Sequence, residues 1–375
     1  MIFRLLVQKG QVIISAFVQL TLSLLCVKLS LTYKQNIILR SVIMTRFIKK
    51  IGAIALTAAM IGSVFTGCSS KTDKPEDKDT YTVGICQLMQ HPALDKATKG
   101  FQDALTELLG DKVEFSYQNA SGDSAACATI ANQFVSNNVD LIMANATPAL
   151  QACTTATASS KIPVVATSIT NFGVALDIEM GPTDATGINV TGTHDLAPLE
   201  KQAEQLTTLF PEAKEVGILY CSSEANSKFQ SDGMEEILKA QGLNVSIYTF
   251  SDSNDLQAVA KKAAAASDVL YIPTDNTVAD NGTVVDAACT EAGTPIISGE
   301  TDACAAYRGV ATYSIDFYEI GYNAGKMAYE ILVNGADPAT MNIQAPQTLT
   351  AKYLPEKAEE FNVQIPEDYV ILAAE

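Results

Sequence analysis

From Tyr81 onward, hydrophobic and polar positions follow a repeated order, in which a short run of β-branched and other apolar residues precedes a longer amphipathic stretch. Short β-branched runs predict strands, and apolar positions spaced three and four residues apart predict helices. The first half of this region is predicted to hold strands at Thr82–Cys86, Val113–Gln118, Leu141–Ala144 and Val164–Ser168, and helices at Ala93–Leu109, Ser124–Asn137 and Pro148–Ser159. Alternation of this kind is typical of an α/β fold with parallel strands and crossover helices.

The same order recurs about 130 residues later in the chain. The recurring segments are Val216–Leu219, Asn244–Phe250 with Asn254–Ala266, Ser267–Ile272 and Thr294–Ser298. A near-constant offset of this kind indicates an internal duplication. The sequence therefore predicts two similar Rossmann-like lobes with parallel sheets, each of ordinary domain size.

Two further segments are predicted to connect the lobes. Residues 311–333 begin like a strand and continue as a helix with small Gly and Ala residues, and residues 343–353 follow. By analogy with chains of this build, the helix returns to the first lobe and the last segment crosses back to the second, so that several strands form a hinge. The predicted first lobe comprises 81–192 and about 311–338, and the second 193–310 and about 339–375.

The region before Tyr81 has the features of an export signal. Met44 opens a short basic stretch, and Ile51–Phe65 is an apolar run of signal-peptide length that is too short to span a membrane comfortably. The run ends in Phe-Thr-Gly-Cys, which resembles a lipobox with Cys68 as the acylated residue, although Phe65 stands where Leu or Val is usual. Residues 44–67 are thus predicted to be a lipoprotein signal peptide and Cys68 a lipid anchor; an ordinary cleaved signal with an incidental cysteine is the alternative.

The segments on either side of this signal have different interpretations. Val12–Leu31 is apolar enough to suggest a membrane segment, yet a complete signal peptide follows it. Two export elements in series make little physical sense, so residues 1–43 are interpreted as an upstream extension before a true start at Met44. Residues 68–80 are polar and charged and are predicted to be a flexible tether.

Charge is distributed unevenly along the chain. Residues 1–67 carry eight Lys or Arg and no Asp or Glu, whereas the rest holds 17 basic against 42 acidic residues, a net charge of −25. So acidic a body repels the phosphate backbone of nucleic acids and is not attracted to anionic lipid. Nucleic acid is excluded as a partner, and with it a gene regulator, which would also need a DNA-binding head.

Candidate binding residues lie at the predicted strand ends, because ligands of open parallel sheets bind beyond the carboxyl ends of the strands and at helix N-termini. Polar clusters follow the strands there, and each of them could equally serve as a helix cap. The clusters contain Gln87, His91, Thr147, Thr167, Ser168, Ser222, Ser223, Glu224, Asp275, Asn276 and Asp302, and also Glu300. Of these, Asp302 and Glu224 are charged candidates for an ammonium group, and the hydroxyls of Thr147, Ser168 and Ser222–Ser223 are candidates for a carboxylate.

Signatures of catalysis and of metal binding are missing from the sequence. It contains no GxGxxG after a strand, no GxxxxGK[ST], no GxSxG and no HExxH, and its two histidines, His91 and His194, form no common motif. The cysteines Cys86, Cys127, Cys153, Cys221, Cys289 and Cys304 form no CxxC pair and could be buried side chains or disulfides. We expect no cofactor and no metal. His194 is expected in the hinge.

Several stretches carry a family resemblance that runs in order from about Tyr81 to Pro366. They are GICQLMQHPALDKATKGFQDAL, ANQFVSNNVDLIMANATPALQA, NVTGTHDLAPLEKQ, LYCSSEANSKFQ, YIPTDNTVADN and ATYSIDFYEIGYNAGKMAYEIL. They resemble the ABC transporter substrate-binding proteins of the tryptophan-binding TrpX-like family. The chain departs from the usual pattern at Ser168–Phe172, and at Glu300, where Asp is frequent.

The resemblance implies a type I periplasmic-binding-protein fold that closes on an aromatic amino acid or a related small ligand. It also implies that the polar strand-end residues Gln87, His91, Thr147, Thr167, Ser168, Ser222, Ser223, Glu224, Asp275, Asn276 and Asp302 lie around the cleft. Together with the predicted lipobox, it predicts an exported lipoprotein at the outer face of the cytoplasmic membrane, which delivers its ligand to an ABC permease and its ATPase subunit. Rival interpretations are a sugar or nucleoside receptor that feeds a sensor, although the chain has no Trp for sugar stacking, and a cryptic extracytoplasmic hydrolase.

Overall fold

The computed structural model of the chain describes residues 79–180 and 184–372. The predicted upstream extension, the signal peptide and Cys68 lie outside these residues, as does most of the predicted tether. In the described ranges, no helix combines the length and the hydrophobicity that crossing a membrane requires.

The first lobe is built on a sheet of five parallel strands in the order β2-β1-β3-β4-β5. Its strands are β1 (Tyr81–Gln87), β2 (Val113–Asn119), β3 (Leu141–Asn145), β4 (Val164–Ile169) and β5 (Val190–His194). The helices between them are α1 (Pro92–Leu109), α2 (Ser124–Ser136), α3 (Thr147–Thr157) and α4 (Phe172–Leu176), and a 3-10 turn at Gly110–Lys112 follows α1.

The second lobe repeats this arrangement and extends it, with the strand order β12-β11-β10-β9-β8-β6-β7. Its strands are β6 (Glu215–Cys221), β7 (Asn244–Phe250), β8 (Val269–Ile272), β9 (Ile296–Ser298), β10 (Ala311–Ile315), β11 (Leu349–Tyr353) and β12 (Val370–Ile371). The helices that follow β5 to β9 are α5 (Leu199–Leu209), α6 (Ala225–Ala240), α7 (Ser253–Ala265), α8 (Asn276–Asp280), α9 (Gly282–Ala292) and α10 (Thr301–Ala306). The pair β10 and β11 is antiparallel, and the other pairs are parallel. The α/β fold class of two parallel-sheet lobes is confirmed.

The sequence of strand β1 is nearly all apolar because the strand is buried on both faces. A strand inside a parallel sheet is covered by helices on both faces. Val83 and Ile85 are fully buried on one face, where they pack in a cluster with Phe101 of α1. On the other face, a Cβ at Gly84 would lie 2.7 Å from the Cγ atom of Phe134, so only glycine leaves room for that ring.

The long helix α11 (Phe317–Asn334) belongs to the first lobe although it follows a strand of the second. It packs closely on α1, and a Cβ at Gly321 would lie 1.9 Å from the carbonyl oxygen of Ala97. Strand β10, by contrast, pairs with β9 in the second sheet. The chain therefore returns to the first lobe at Asp316, inside the predicted segment 311–338.

Three segments join the lobes: residues 195–198 after β5, Asp316 after β10, and residues 335–348 after α11, which include a 3-10 turn at Pro338–Thr340. His194 ends β5, and its backbone N–H donates to the carbonyl oxygen of Gln344 in the third of these segments. His194 thus lies beside the crossing segments, as expected. Helix α12 (Pro355–Glu360) follows β11 in the second lobe.

The six cysteines of the described residues are buried free thiols. Cys86 and Cys221 end the equivalent strands β1 and β6 of the two lobes. These side chains therefore act as small buried apolar groups in both lobes.

Candidate functional site

The two lobes face each other across a pocket that takes residues from strand ends, helix starts and a crossing segment. Its enclosed cavity volume is about 10 Å³, and the empty space between the lining residues, which includes open solvent, is about 330 Å³. The lining residues are His91, Ala93, Leu94, Ser168, Asp195, Asn226, Thr274, Asp275, Asn276, Ala279, Glu300 and Phe317. Among the described residues, no Lys or Arg lines the pocket, whereas three of the lining side chains are carboxylates.

Ser168 forms part of the first-lobe wall and has an unusual backbone. It lies in the left-handed region with φ of 58°, where a non-glycine residue is uncommon. Its Oγ atom is buried and has no hydrogen-bond partner within the described part of the chain. Strained backbone and an unpaired polar atom both point to a functional position.

Two carboxylates on the second-lobe wall are held by backbone N–H groups. Asp275 accepts from the N–H groups of Cys221 at 2.7 Å and Val278 at 2.8 Å, and it caps α8. Glu300 caps α10 through the N–H groups of Asp302 and Ala303, both at 2.6 Å. The four N-terminal N–H groups of a helix lack partners within the helix, so acidic residues at this position are favourable.

Glu224 lies immediately behind this wall and joins two helix starts. Its carboxylate accepts from the backbone N–H groups of Asn276 at 3.1 Å and Thr277 at 2.8 Å, and from the side chains of both residues at 2.7 Å. The amide of Asn226 donates to it as well, at 3.1 Å. The Oδ1 atom of Asn226 is buried without a partner among the described residues and borders the pocket.

Burial makes the site electrostatically unusual. Desolvation, reinforced by the nearby Glu224, raises the pKa of Asp275, and desolvation with the nearby Asp302 raises the pKa of Glu300. Desolvation also raises the pKa of Asp195 to about 6. It lowers the pKa of His91, so that this imidazole is neutral at pH 7. A ligand group that brings a positive charge would favour the ionised form of these carboxylates.

The lobes touch directly around the pocket. The Nε2 atom of His91 lies 3.4 Å from Oδ1 of Asn276, and the Nζ atom of Lys96 donates to Oδ1 of Asp302 at 2.6 Å. The side-chain amide of Gln230, on α6, donates to the hydroxyl of Thr170 at 3.2 Å. These cross-lobe contacts describe a closed cleft.

The structure brings some of the predicted residues together at this pocket: His91, Ser168, Asp275 and Asn276 line it, and Glu224 lies behind it. The others lie elsewhere. Gln87 and Thr167 are buried in hydrogen-bond networks of the first lobe, and Thr147 is buried at the start of α3. Ser222 and Ser223 are exposed at the end of β6. Asp302 forms the ion pair with Lys96.

Sequence reasoning did not select Asp195, Asn226, Thr274, Glu300 or Phe317, which also line the pocket. Glu300 lies in a polar cluster at a predicted strand end. Its position at the N-cap of a helix was the sequence feature that could have marked it as a pocket residue. Asp195 lies on a crossing segment, where no strand or helix pattern marks a residue. Phe317 begins α11, so an apolar residue there is also consistent with helix packing.

The geometry of a metal centre is missing from the described ranges, in which no group of three or more His, Cys, Asp or Glu side chains could hold a metal ion. The pocket's carboxylates instead accept hydrogen bonds from backbone N–H groups and from neighbouring side chains. Its chemistry is that of reversible binding, by charge, hydrogen bonds and an apolar wall.

Comparison with known proteins agrees with this geometry. The sequence matches the ABC transporter substrate-binding protein family over residues 82–375. It is 34% identical over 298 residues to a tyrosine-binding protein of Clostridioides difficile (strain R20291), covering 76% of this chain and 84% of the relative.

Two solved structures are informative about conformation. An ABC domain from Streptococcus pneumoniae in complex with L-Trp is 32% identical, with a TM-score of 0.72, and the match covers 77% of this chain and 96% of the other. The ligand-free, open structure of a substrate-binding protein with adhesive properties from Clostridium difficile is also 32% identical, but its TM-score is 0.61, with 78% and 100% covered. At equal identity, the TM-score is higher for the complex than for the ligand-free, open structure.

The family is one of solute-binding proteins, not of enzymes, and its members act outside the cytoplasm. The two-lobed fold is that of type I periplasmic binding proteins. The chain belongs to the family of ABC transporter substrate-binding proteins, in its TrpX-like group.

Proposed function

We propose that the protein is the extracytoplasmic capture subunit of an ABC importer and that it binds an aromatic amino acid by closure of its two lobes. The observation that carries this proposal is the interlobe pocket, which combines buried carboxylates, unpaired polar atoms and an apolar wall without any Lys or Arg. A zwitterion with an aromatic side chain has the matching chemistry. The tyrosine-binding relative and the L-Trp complex support the same ligand class.

The groups of such a ligand have distinct partners in the pocket. The unpaired hydroxyl of Ser168 is a donor for the carboxylate, and it lies beside the start of α3, whose N-cap Ala146 offers no side-chain cap. The acidic side of the pocket attracts the ammonium group. The apolar side chains of Leu94 and Phe317 form a surface for an aromatic ring.

The importer role follows from the family and from the cleft. Ligand binding shifts a population of open and closed forms only if the ligand binds the closed form more tightly. In the proposed cycle, the closed form docks on a membrane permease, and a separate ATPase subunit drives import. The three crossing segments and the cross-lobe contacts supply the two-state element that this cycle requires.

We further propose that the protein starts at Met44, loses residues 44–67 on export and is held at the membrane by a diacylated Cys68. The sequence pattern before Tyr81 supports this proposal. Its test is membrane fractionation of cells that express the wild type or the Cys68→Ala variant. The wild type is expected in the membrane fraction and the variant in the soluble fraction; an unchanged distribution would refute the anchor.

Calorimetric titration of residues 79–375 with L-tryptophan, L-tyrosine and L-phenylalanine tests the ligand class. We expect binding of at least one of them, in the micromolar range or tighter. If none gives heat while a sugar or nucleoside does, the aromatic assignment is wrong and the rival receptor function is correct. D-tryptophan is a matched control, because it has the same charge and ring but places the ammonium group differently.

A further inference from the structure

The carboxylates around the pocket differ in how far hydrogen bonds already satisfy them. Asp275 and Glu300 each accept two backbone N–H groups at helix starts. Glu224 accepts five hydrogen bonds from Asn226, Asn276 and Thr277. Helix starts stabilise the negative charge of Asp275 and Glu300, and several donors stabilise that of Glu224.

Asp195 has neither a helix start nor several donors to stabilise its negative charge. It is fully buried, and within the described part of the chain its hydrogen bonds come from the hydroxyl of Thr170, at 2.9 Å, and from its own backbone N–H. It lies at no helix start, because α5 begins at Leu199. A buried carboxylate without a cation or several donors is costly in free energy.

A positive charge for Asp195 is missing from the pocket itself. No Lys or Arg is among the lining residues, and the remaining basic group, His91, is neutral at pH 7. Lys96, on the same helix as His91, forms its ion pair with Asp302. An ammonium group on the ligand would supply the charge that Asp195 lacks.

The position of Asp195 also connects it to both lobes. It lies on the first crossing segment, and Thr170, which donates to it, follows β4 of the first lobe. Thr170 in turn accepts from the amide of Gln230 at 3.2 Å, and the Oε1 atom of Gln230 accepts from the backbone N–H of Thr274 at 3.3 Å. All three side chains are at least 95% buried. A hydrogen-bond chain therefore runs from the second-lobe wall through Gln230 and Thr170 to Asp195.

We propose that Asp195 is the counter-ion of the ligand's ammonium group, and that the chain from Gln230 through Thr170 links this carboxylate to the second lobe when the lobes are closed. The inference rests on the proposed amino-acid function and names the residue that selects for the amine. It makes ligand charge the signal for closure, because Thr170 can donate to Asp195 and accept from Gln230 together only in the closed form.

The experiment compares wild type and Asp195→Asn by calorimetry with two pairs of ligands. The pairs are L-tryptophan with 3-(indol-3-yl)propionate and L-tyrosine with 3-(4-hydroxyphenyl)propionate, which differ only by the ammonium group. We expect Asp195→Asn to weaken binding of the amino acid at least 100-fold and to leave binding of the deaminated acid unchanged or tighter. Equal losses for both members of a pair, or no loss for the amino acid, would overturn the proposal.

A matched control variant is Glu200→Gln, which removes an exposed carboxylate from the first turn of α5 a few residues further along the chain. It is expected to bind both members of each pair as the wild type does. The same loss of amino-acid affinity in this variant would show a general effect of net charge and would contradict the role of Asp195.

Thermal unfolding without ligand provides an arm that does not depend on the ligand's identity. If the Asp195 carboxylate has no cationic partner in the ligand-free protein, a neutral Asn costs less free energy to bury. Ligand-free Asp195→Asn should then be at least as stable as the wild type at pH 8. A variant less stable than the wild type shows that the carboxylate has a structural role and overturns the proposal. If the wild type binds neither amino acid, the aromatic assignment fails, and the stability comparison still decides on Asp195.

Discussion

Lys96 of the first lobe and Asp302 of the second are joined across the cleft by an ion pair of 2.6 Å. The Asp302 side chain is 12% exposed and that of Lys96 39% exposed, so the pair lies at the margin of the cleft rather than in free solvent. Such a pair exists only while the lobes are closed. Its electrostatic free energy therefore contributes to closure, and through closure to ligand affinity.

We predict that Lys96→Gln weakens ligand binding by about two- to tenfold, mainly through faster dissociation, because a partly exposed ion pair contributes about 1 kcal/mol. Stopped-flow binding at 20 mM and 300 mM salt measures this, and the difference between variant and wild type should shrink at high salt. The control is Lys99→Gln on the same helix, whose partner Asp103 lies within the first lobe. An equal effect of Lys99→Gln would contradict a role in closure.

The pKa of about 6 at Asp195 predicts a pH-dependent affinity. Below this pH the ligand-free side chain is neutral, so an ammonium ligand must displace a proton, and affinity is expected to fall up to tenfold per pH unit between about pH 6 and 4. Above about pH 7 the contribution of Asp195 to the affinity should be constant. Isothermal titration in buffers with different ionisation enthalpies also measures the proton released at pH 5.

Other titratable groups face the same pocket, and the Asp195→Asn variant separates their effect on the pH dependence of affinity from that of Asp195. Protonation of His91 at low pH would also repel a cation, while Asp275 and Glu300 keep their backbone hydrogen bonds and have raised pKa values. The variant is expected to lose the dependence between pH 6 and 4. A pH profile that is the same in variant and wild type would assign the effect to these neighbours.

The stability of the ligand-free protein should change in the opposite direction. Burial raises the pKa of Asp195 from 3.8 to about 6, so the folded state holds a proton that the unfolded state has released, and the free energy of unfolding falls as pH rises from about 4 to 6. Binding of an ammonium ligand displaces the proton on Asp195 and so removes the stabilisation that this proton provides. The increase in Tm caused by ligand should therefore be larger at pH 7 than at pH 5.

The central strands were predictable to within two residues, because burial on both faces makes them nearly continuous apolar runs. The edge strands β2 and β7 are partly exposed and were predicted from the repeated order of strands and helices. Strands β5 and β12 were not predicted. Thr82–Cys86 was predicted and β1 is Tyr81–Gln87. The internal duplication also predicted the paired lobes. The sequence pattern does not show to which lobe a segment near a crossing belongs, because that depends on strand pairing. Strand β10 pairs in the second sheet, although α11, directly after it, packs on the first lobe.

The site was only partly predictable, for a physical reason. Polar residues at strand ends indicate the edge of the sheet where ligands bind, but the same residues cap helices, and Asp275, Glu224 and Glu300 are largely satisfied by backbone N–H groups. Asp195 follows β5 on a crossing segment, and its burial results from the approach of the two lobes. Such an approach leaves no periodic pattern in the sequence.

The contact between α1 and α11 predicts a strong effect of one methyl group. A Cβ at Gly321 would lie 1.9 Å from the carbonyl oxygen of Ala97, so Gly321→Ala must push the helices apart. Overpacking of this kind costs about 1–3 kcal/mol or more. Chemical denaturation of the ligand-free protein measures it; Lys326→Ala, at an exposed position of α11, should change stability by less than about 0.5 kcal/mol. A Gly321→Ala variant as stable as the wild type would refute the close packing of these helices.

Ser168 combines a left-handed backbone with an unpaired hydroxyl, and the two features can be separated. Ser168→Ala keeps the strained backbone and removes the hydroxyl, and Ser168→Gly removes both. If the hydroxyl donates to the ligand's carboxylate, both variants should lose affinity by a similar factor, about 10- to 100-fold, since a hydrogen bond to a charged group contributes about 1.5–3 kcal/mol. Without ligand, Ser168→Gly should be more stable than Ser168→Ala by about 1 kcal/mol, because both variants lose the unpaired hydroxyl but only glycine adopts positive φ freely. Calorimetry with L-tryptophan and with tryptamine, which has no carboxylate, completes the test. The variants should lose affinity for the amino acid and keep their affinity for the amine. A loss for both ligands would show that Ser168 shapes the pocket instead of binding the carboxylate.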